Sequence, residues 1–337
     1  MKATGKIIVC AYPDTFVKFS DEWFSKILPY LGLGTSKYIK AGHSALILIE
    51  NKTGRAYYFD FGRYITPLGH GRVRGAETDV ELNTKFDAQI TSSNKLENLD
   101  DFLIWLSTNP QKTHGEGKLI ASLCESVDFK NVLNYIKKTQ RKGHIPYKAF
   151  GNKGSNCSRF VNDSVLAGIG DKKIYKALKR NKIFTPSPLG IVEKVGDGVN
   201  YKVENKSVKE CSFKSYKENL FNFFDRNVKV SSHTMKNKVP ENATFLDGTG
   251  SRAWFCLEAF NAKDTFIVSR YNSLGIMDFK GVFKSSRNLD LATPYKFIYN
   301  SNCLYCTIIQ NDKMIVLNRI EILDLDEASS EQKSRLA

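Results

Sequence analysis

The strongest constraint on this chain is a pair of apolar runs, His43 to Glu50 (HSALILIE) and Ala56 to Phe61 (AYYFDF). Asn51-Lys52-Thr53-Gly54 joins them, a turn of the kind that closes a β-hairpin. Each run is strand length and rich in aliphatic or aromatic residues. His43 heads the stronger of the two, and Asp60 is the one charge among the aromatics of the other. Further elements are predicted around this hairpin. Lys6 to Ala11 reads as a short buried strand, Asp21 to Leu31 as a helix with acids in its first turn, and Lys85 to Ile90 as a strand. Leu99 to Leu106 reads as a helix ended by Asn109-Pro110, and Lys118 to Cys124 as a strand. Phe129 to Thr139 is a basic amphipathic helix with Val132, Leu133 and Ile136 on one face. Asp171 to Arg180 is a further helix, and Ile191 to Val203 reads as hairpin-like around Gly196-Asp197-Gly198.

A chain of 337 residues is long for one domain and comfortable for two. The texture changes after about residue 205. Short β-branched and aromatic runs follow at Thr265–Val268, Tyr295–Tyr299, Tyr305–Ile309 and Met314–Leu317. The expected organisation is an α+β first domain over 1–205, a smaller β-rich domain over 206–325 and a polar tail over 326–337. The formal net charge is +15, spread along the chain in short clusters. That balance favours an acidic partner such as anionic lipid or cell-wall polymer, against the plainer alternative of a solvated basic surface. Nucleic acid is not expected as a partner. The apolar run near the start spans four residues, short of a secretory h-region, and no stretch has transmembrane length. Seven widely spaced cysteines fit reduced thiols, so a cytoplasmic location is expected.

The chemistry concentrates at Gly154-Ser155-Asn156-Cys157-Ser158-Arg159-Phe160-Val161, continuing to Gly168. Phe160, Val161, Ser164, Val165 and Gly168 follow the spacing of a buried helical face. Ser155 or Asn156 is the N-cap, which puts Cys157 in the first turn, where the helix dipole favours thiolate over thiol. By itself a cysteine at a helix start is more often structural.

The residues upstream add to this reading. Gly143-His144-Ile145-Pro146-Tyr147 followed by Cys157-Ser158-Arg159-Phe160-Val161 resembles the NlpC/P60 cysteine hydrolases, which show Gly-x-Pro-Tyr and then Cys-Ser-x-Phe-Val. Asn156 stands where the family usually has aspartate. Ala41-Gly42-His43-Ser44-Ala45-Leu46-Ile47 resembles the histidine strand of the same superfamily, yet here it precedes the cysteine. That order is the one seen in the circularly permuted branch of YaeF/YiiX-like proteins and lecithin:retinol acyltransferase relatives. Downstream of Cys157 the one histidine is His233, in the mostly polar stretch Val228 to Met235.

The resemblance implies a permuted papain-like domain, an antiparallel sheet packed on helices. It implies Cys157 as nucleophile with its own N–H as an oxyanion donor, His43 as base, Asp60 orienting His43, and Tyr147 lining the site. The activity implied is hydrolysis or acyl transfer at an amide, ester or thioester, without metal or organic cofactor. Peptide or peptidoglycan-fragment substrates are favoured over lipid acyl groups. A competing reading is a non-catalytic binding protein on the same scaffold. For Asp60 the open question is register, since a slip of one residue turns it to the other face. Arg63, Arg72 and Arg74 are available to bind a substrate carboxylate or phosphate, with Arg63 foremost, or else form a solvated basic loop. Cys303-Leu304-Tyr305-Cys306 has redox-like spacing but no second ligand pair, so buried thiols are the better reading.

Overall fold

The computed structural model describes residues 3–20, 22–23, 27–151, 153–228 and 237–325. They fall into two compact units, one drawn from 1–62, 69–76 and 82–230, the other from 63–68, 77–81 and 231–337.

In the first unit the chain runs through β1 (Gly5–Tyr12), the small pair β2 (Val17–Lys18) and β3 (Tyr38–Ile39), then β4 (His43–Glu50), β5 (Ala56–Gly62) and β6 (His70–Gly75). There follow α1 (Leu99–Thr108), α2 (Pro110–Thr113), β7 (Leu119–Val127), α3 (Phe129–Gln140), β8 (Ile145–Pro146) and α4 (Cys157–Gly168). The unit closes with α5 (Lys172–Asn181), α6 (Pro188–Gly196), β9 (Asn200–Glu204), β10 (Ser207–Cys211) and α7 (Ser215–Phe224). Eight strands make one antiparallel sheet in the order β10-β9-β7-β1-β4-β5-β6-β8. β1 lies in its middle and is buried along its whole length, which is why it reads as an unbroken apolar run.

Alternation along the strands divides the core into two layers. Ile7, Val9, Leu46, Leu48, Phe59 and Phe61 face one side, where Val132, Ile136, Phe160, Val161, Val165 and Val192 of the helices meet them. Ile8, Cys10, Tyr12, Ala45, Ile47 and Tyr58 face the other, against Phe102, Leu103 and Leu106 of α1. A fully buried large apolar side chain is worth about 1.5–3 kcal/mol. Phe160, Val161 and Val165 therefore hold α4 far more firmly than its cap does.

Three sequence expectations are corrected. Ile191–Val203 is not a hairpin, because Pro188 sits at the first helical position behind a Ser187 cap and starts α6 instead of ending a helix. The hairpin comes later, β9–β10, turning through Asn205 and Lys206, both at positive φ. It brings position 205, where a domain boundary was expected, into the first sheet, and the first unit runs on to about 230. Lys85–Ile90 forms no strand beyond an isolated Ile90–Leu96 bridge, and Phe86, Ala88 and Ile90 pack onto the core. Of the helix expected over Asp21–Leu31, residues 21 and 24–26 lie outside the described residues, and Leu28–Leu31 is a 3-10 turn. The tail expected over 326–337 also lies outside them.

The second unit is a seven-stranded antiparallel sheet of β11 (Thr244–Leu246), β12 (Ala253–Ala259), β13 (Thr265–Tyr271), β14 (Met277–Ser285), β15 (Lys296–Ile298), β16 (Tyr305–Gln310) and β17 (Lys313–Ile322). Its order is β11-β12-β13-β14-β17-β16-β15. The two edges approach each other, with Phe297 N–H donating to Thr244 Oγ1 at 3.5 Å, so the sheet is a nearly closed barrel. Phe255, Phe279, Phe283, Phe297, Cys303 and Cys306 fill it. Among the described residues no helix is long and apolar enough to cross a membrane.

Candidate active site

α4 begins at Cys157 because Asn156 caps it. The Asn156 side chain accepts from Arg159 N–H at 2.9 Å while its amide donates to the Lys148 carbonyl at 3.2 Å. Aspartate could supply only the first of these bonds, so the departure from the usual family residue ties the cap to the preceding loop. That loop is closed by a parallel bridge between Tyr147 and Ser155, with Ser155 N–H donating to Pro146 O at 3.0 Å. Gly154 allows the closure, at φ +122° and with room for no Cβ, which would lie 2.4 Å from Pro146 O.

β4 and β5 pair with Ala45 opposite Asp60. His43 and Asp60 therefore lie diagonally on one face, and His43 Nε2 sits 3.5 Å from Asp60 Oδ2. Asp60 is wholly buried and richly bonded. Arg74, directly across on β6, donates through Nε at 3.0 Å and Nη2 at 2.5 Å, and the Tyr58 hydroxyl donates at 3.1 Å. Burial opposes the charge on Asp60, but Arg74 and His43 outweigh it and hold the carboxyl well below its ordinary range. Arg74 Nη2 also reaches Lys112 O at 3.0 Å. Its guanidinium is thus spent inside the protein, which corrects its reading as a substrate clamp or a solvated loop residue. Arg72 is buried as well.

The thiol of Cys157 is hydrogen-bonded to the His43 imidazole and also receives a backbone bond from Ser44. Burial would raise the thiol pKa, yet these bonds and the imidazolium charge bring it below its ordinary value. Burial would likewise lower His43, but Asp60 and Cys157 raise it to about 9. The thiol's pKa is lowered and the imidazole's raised, each by the other, the sense expected of a thiol and an imidazole that share a proton. Tyr12 stacks on the His43 ring at 6.3 Å between centroids. Tyr147 stacks on Phe61 at 6.0 Å, and Phe61 in turn meets Phe160 of the cysteine helix. Arg63 lies in the 63–68 segment of the second unit, where its carbonyl accepts Gly250 N–H at 2.8 Å. His233 lies outside the described residues.

Residues 7–174 match the model of a family described as type VI secretion system effector TseH-like. The first unit is similar to these effectors. Residues 243–320 match the model of a second family, the DUF6695 C-terminal domain. A crystal structure of the type VI secretion system effector TseH is 18% identical, with a TM-score of 0.43, covering 62% of this chain and 99% of that one. No curated protein matches.

Two roles in the cluster escaped the sequence reading, Arg74 as the cation paired with Asp60 and Tyr58 as a donor to it. A signal existed for both. A lone acid on an aromatic strand calls for a buried cation, and Arg74 stands opposite it on the next strand of the meander. Tyr58 is two residues from Asp60 and so shares its face.

Proposed function

We propose that the first unit is a thiol hydrolase of permuted papain-like architecture in which Cys157, His43 and Asp60 form the catalytic triad. The observation that carries this is the hydrogen-bonded series Cys157–His43–Asp60, with the thiol pKa depressed and the imidazole raised. Six other cysteines are present and all have raised pKa values.

His43 presents Nε2 to Asp60, which leaves Nδ1 for the thiol. Cys157 Sγ, as thiolate, attacks the carbonyl carbon. The oxyanion is met by the Cys157 N–H, which at the first helical position has no intrahelical acceptor. His43 passes its proton to the departing amine, then takes one from water as that water attacks the thioester and frees Cys157. Asp60, immobilised by Arg74 and Tyr58, fixes the imidazole plane without taking up a proton. Tyr147, braced on Phe61, lines the substrate side. No step in this chemistry falls to Arg63.

The match to TseH-like effectors supports an enzyme delivered as an effector, and amide bonds of cell-wall peptides are the substrate favoured here over lipid acyl groups. The test is digestion of purified peptidoglycan with the full chain, read by mass spectrometry of the released peptides. New free amines and carboxyls, absent with Cys157→Ala and His43→Ala, are expected. Equal release by Cys157→Ala sinks the reading.

A further inference from the structure

α7 is turned inside out. Its polar side chains face the protein: Ser215 Oγ donates to Glu193, Asn219 Nδ2 donates to Ser187 Oγ at 2.9 Å, Asn222 Nδ2 donates to Pro13 O at 3.1 Å, and Glu218 pairs with Lys118 at 3.2 Å. Its apolar side chains face water. Tyr216 is 65% exposed and Phe221 78%, with Leu220 and Phe224 also exposed along the same i, i+4 stripe. The 3-10 turn Leu28–Leu31 continues this surface, because Gly34 N–H donates to Phe223 O at 2.7 Å and Gly32 abuts the Phe224 ring. There Tyr30 is 90% exposed, with Leu31 beside it. Contiguous apolar surface of this kind marks an interaction site.

Around it the acids are paired, and the charges left over are basic. The described acids nearby are engaged: Asp14 and Asp225 hold Lys40, Glu218 holds Lys118, and Glu22 accepts the N–H groups of Ala149 and Phe150. Lys214, Lys217 and Arg226 flank the stripe and are exposed. An apolar centre carried on a helix, with basic residues at its margin, is complementary to an anionic lipid surface, whose acyl boundary takes the aromatics while its headgroups meet the lysines. We propose that α7 and the Leu28–Leu31 turn dock the protein on an anionic lipid bilayer. The proposal does not depend on the catalytic reading.

The test is flotation of the full chain with vesicles of phosphatidylcholine alone, and with one third phosphatidylglycerol. Partition into the anionic vesicles is expected. Phe221→Ser should weaken it about tenfold or more, from the loss of one buried ring. Lys214→Ala and Lys217→Ala should each weaken it about fivefold. All three sites are exposed, so far-ultraviolet circular dichroism should be unchanged. Failure to float with anionic vesicles overturns the proposal, as does flotation indifferent to Phe221→Ser. Sedimentation showing a dimer that Phe221→Ser dissolves, without lipid binding, overturns it in favour of a second copy as the occupant.

Discussion

Two buried thiol regions of this protein share a residue type and differ in everything around it. Cys303 and Cys306 lie inside the second unit's barrel, among phenylalanines. Burial pushes Cys306 up to about 12 and Cys303 well above its ordinary value, even though the Arg270 guanidinium acts on both in the opposite sense. Cys157 is buried too, but it opens a helix and is bonded to an imidazole, and its pKa falls. Burial alone makes an inert thiol. A bonded cation at a helix start turns the same burial to advantage, because the charges are stabilised together in a medium that screens them weakly. The buried arginines differ in a parallel way. Arg270 meets Asp278, Glu81 and Asp79 and joins β13 and β14 to the 77–81 segment. Arg74 meets Asp60, which in turn meets a histidine.

The largest effect expected from breaking this contrast is on turnover. Cys157→Ala should lower kcat by roughly 10⁴-fold or more, and Cys303→Ala should leave it unchanged within experimental scatter. Iodoacetamide at mildly acidic pH should label Cys157 before the other six thiols, and His43→Ala should slow that labelling by about 100-fold. Mass mapping that finds Cys303 or Cys10 labelled first would count against the thiolate.

Next come the two arginines. Arg74→Met and Arg270→Met should each destabilise by about 3–5 kcal/mol in urea unfolding, because each leaves buried carboxylate without its cation. Only Arg74→Met should also slow Cys157 alkylation. If Arg270→Met slows it equally, Arg74 has no specific part in fixing the site. Asn156→Ala is milder. Loss of the cap costs about 1 kcal/mol and should raise the apparent thiol pKa, seen as a rightward shift in the alkylation profile.

The gentlest effect is a slope of stability against pH. His43's raised pKa contributes stability that is whole below about 6.5 and is lost as pH rises through about 9. Cys157's lowered pKa contributes in the opposite sense, gaining as pH rises toward 9.0. In the native chain the two contributions therefore oppose each other over this interval. Cys157→Ser removes both the thiol's contribution and the thiol's share of the raise on His43, so its stability-versus-pH curve should differ in shape from that of the native chain. Parallel curves for the two proteins would show that the imidazole and the thiol do not share a proton.

Much of the site was legible in the chain. A residue able to cap, followed by a cysteine and an apolar helical face, is local information, and α4 starts where Asn156 indicates. The apolar run behind His43 is a strand for the same reason. The helix over Pro188–Gly196, where a hairpin was expected from Ile191, rests on Ser187 capping a proline at the first helical position. The strand read over Lys85–Ile90 failed because its backbone pairs only at isolated points, such as the Ile90–Leu96 bridge and Ala88 N–H to Gly54 O, while its apolar residues pack on the core.

What the sequence determined by itself was the set of parts: a thiol at a helix start, a histidine at a strand start, an acid that had to be paired, and a β-rich second half. Only the tertiary structure decided which parts meet. The register that puts Ala45 opposite Asp60 also puts Asp60 opposite Arg74 and on the face of His43. A slip of one residue, invisible in local propensity, would turn the carboxylate away from both. The charge states follow from that geometry, since the energy of a buried ion depends on distance and enclosure, and neither is written in the order of residues.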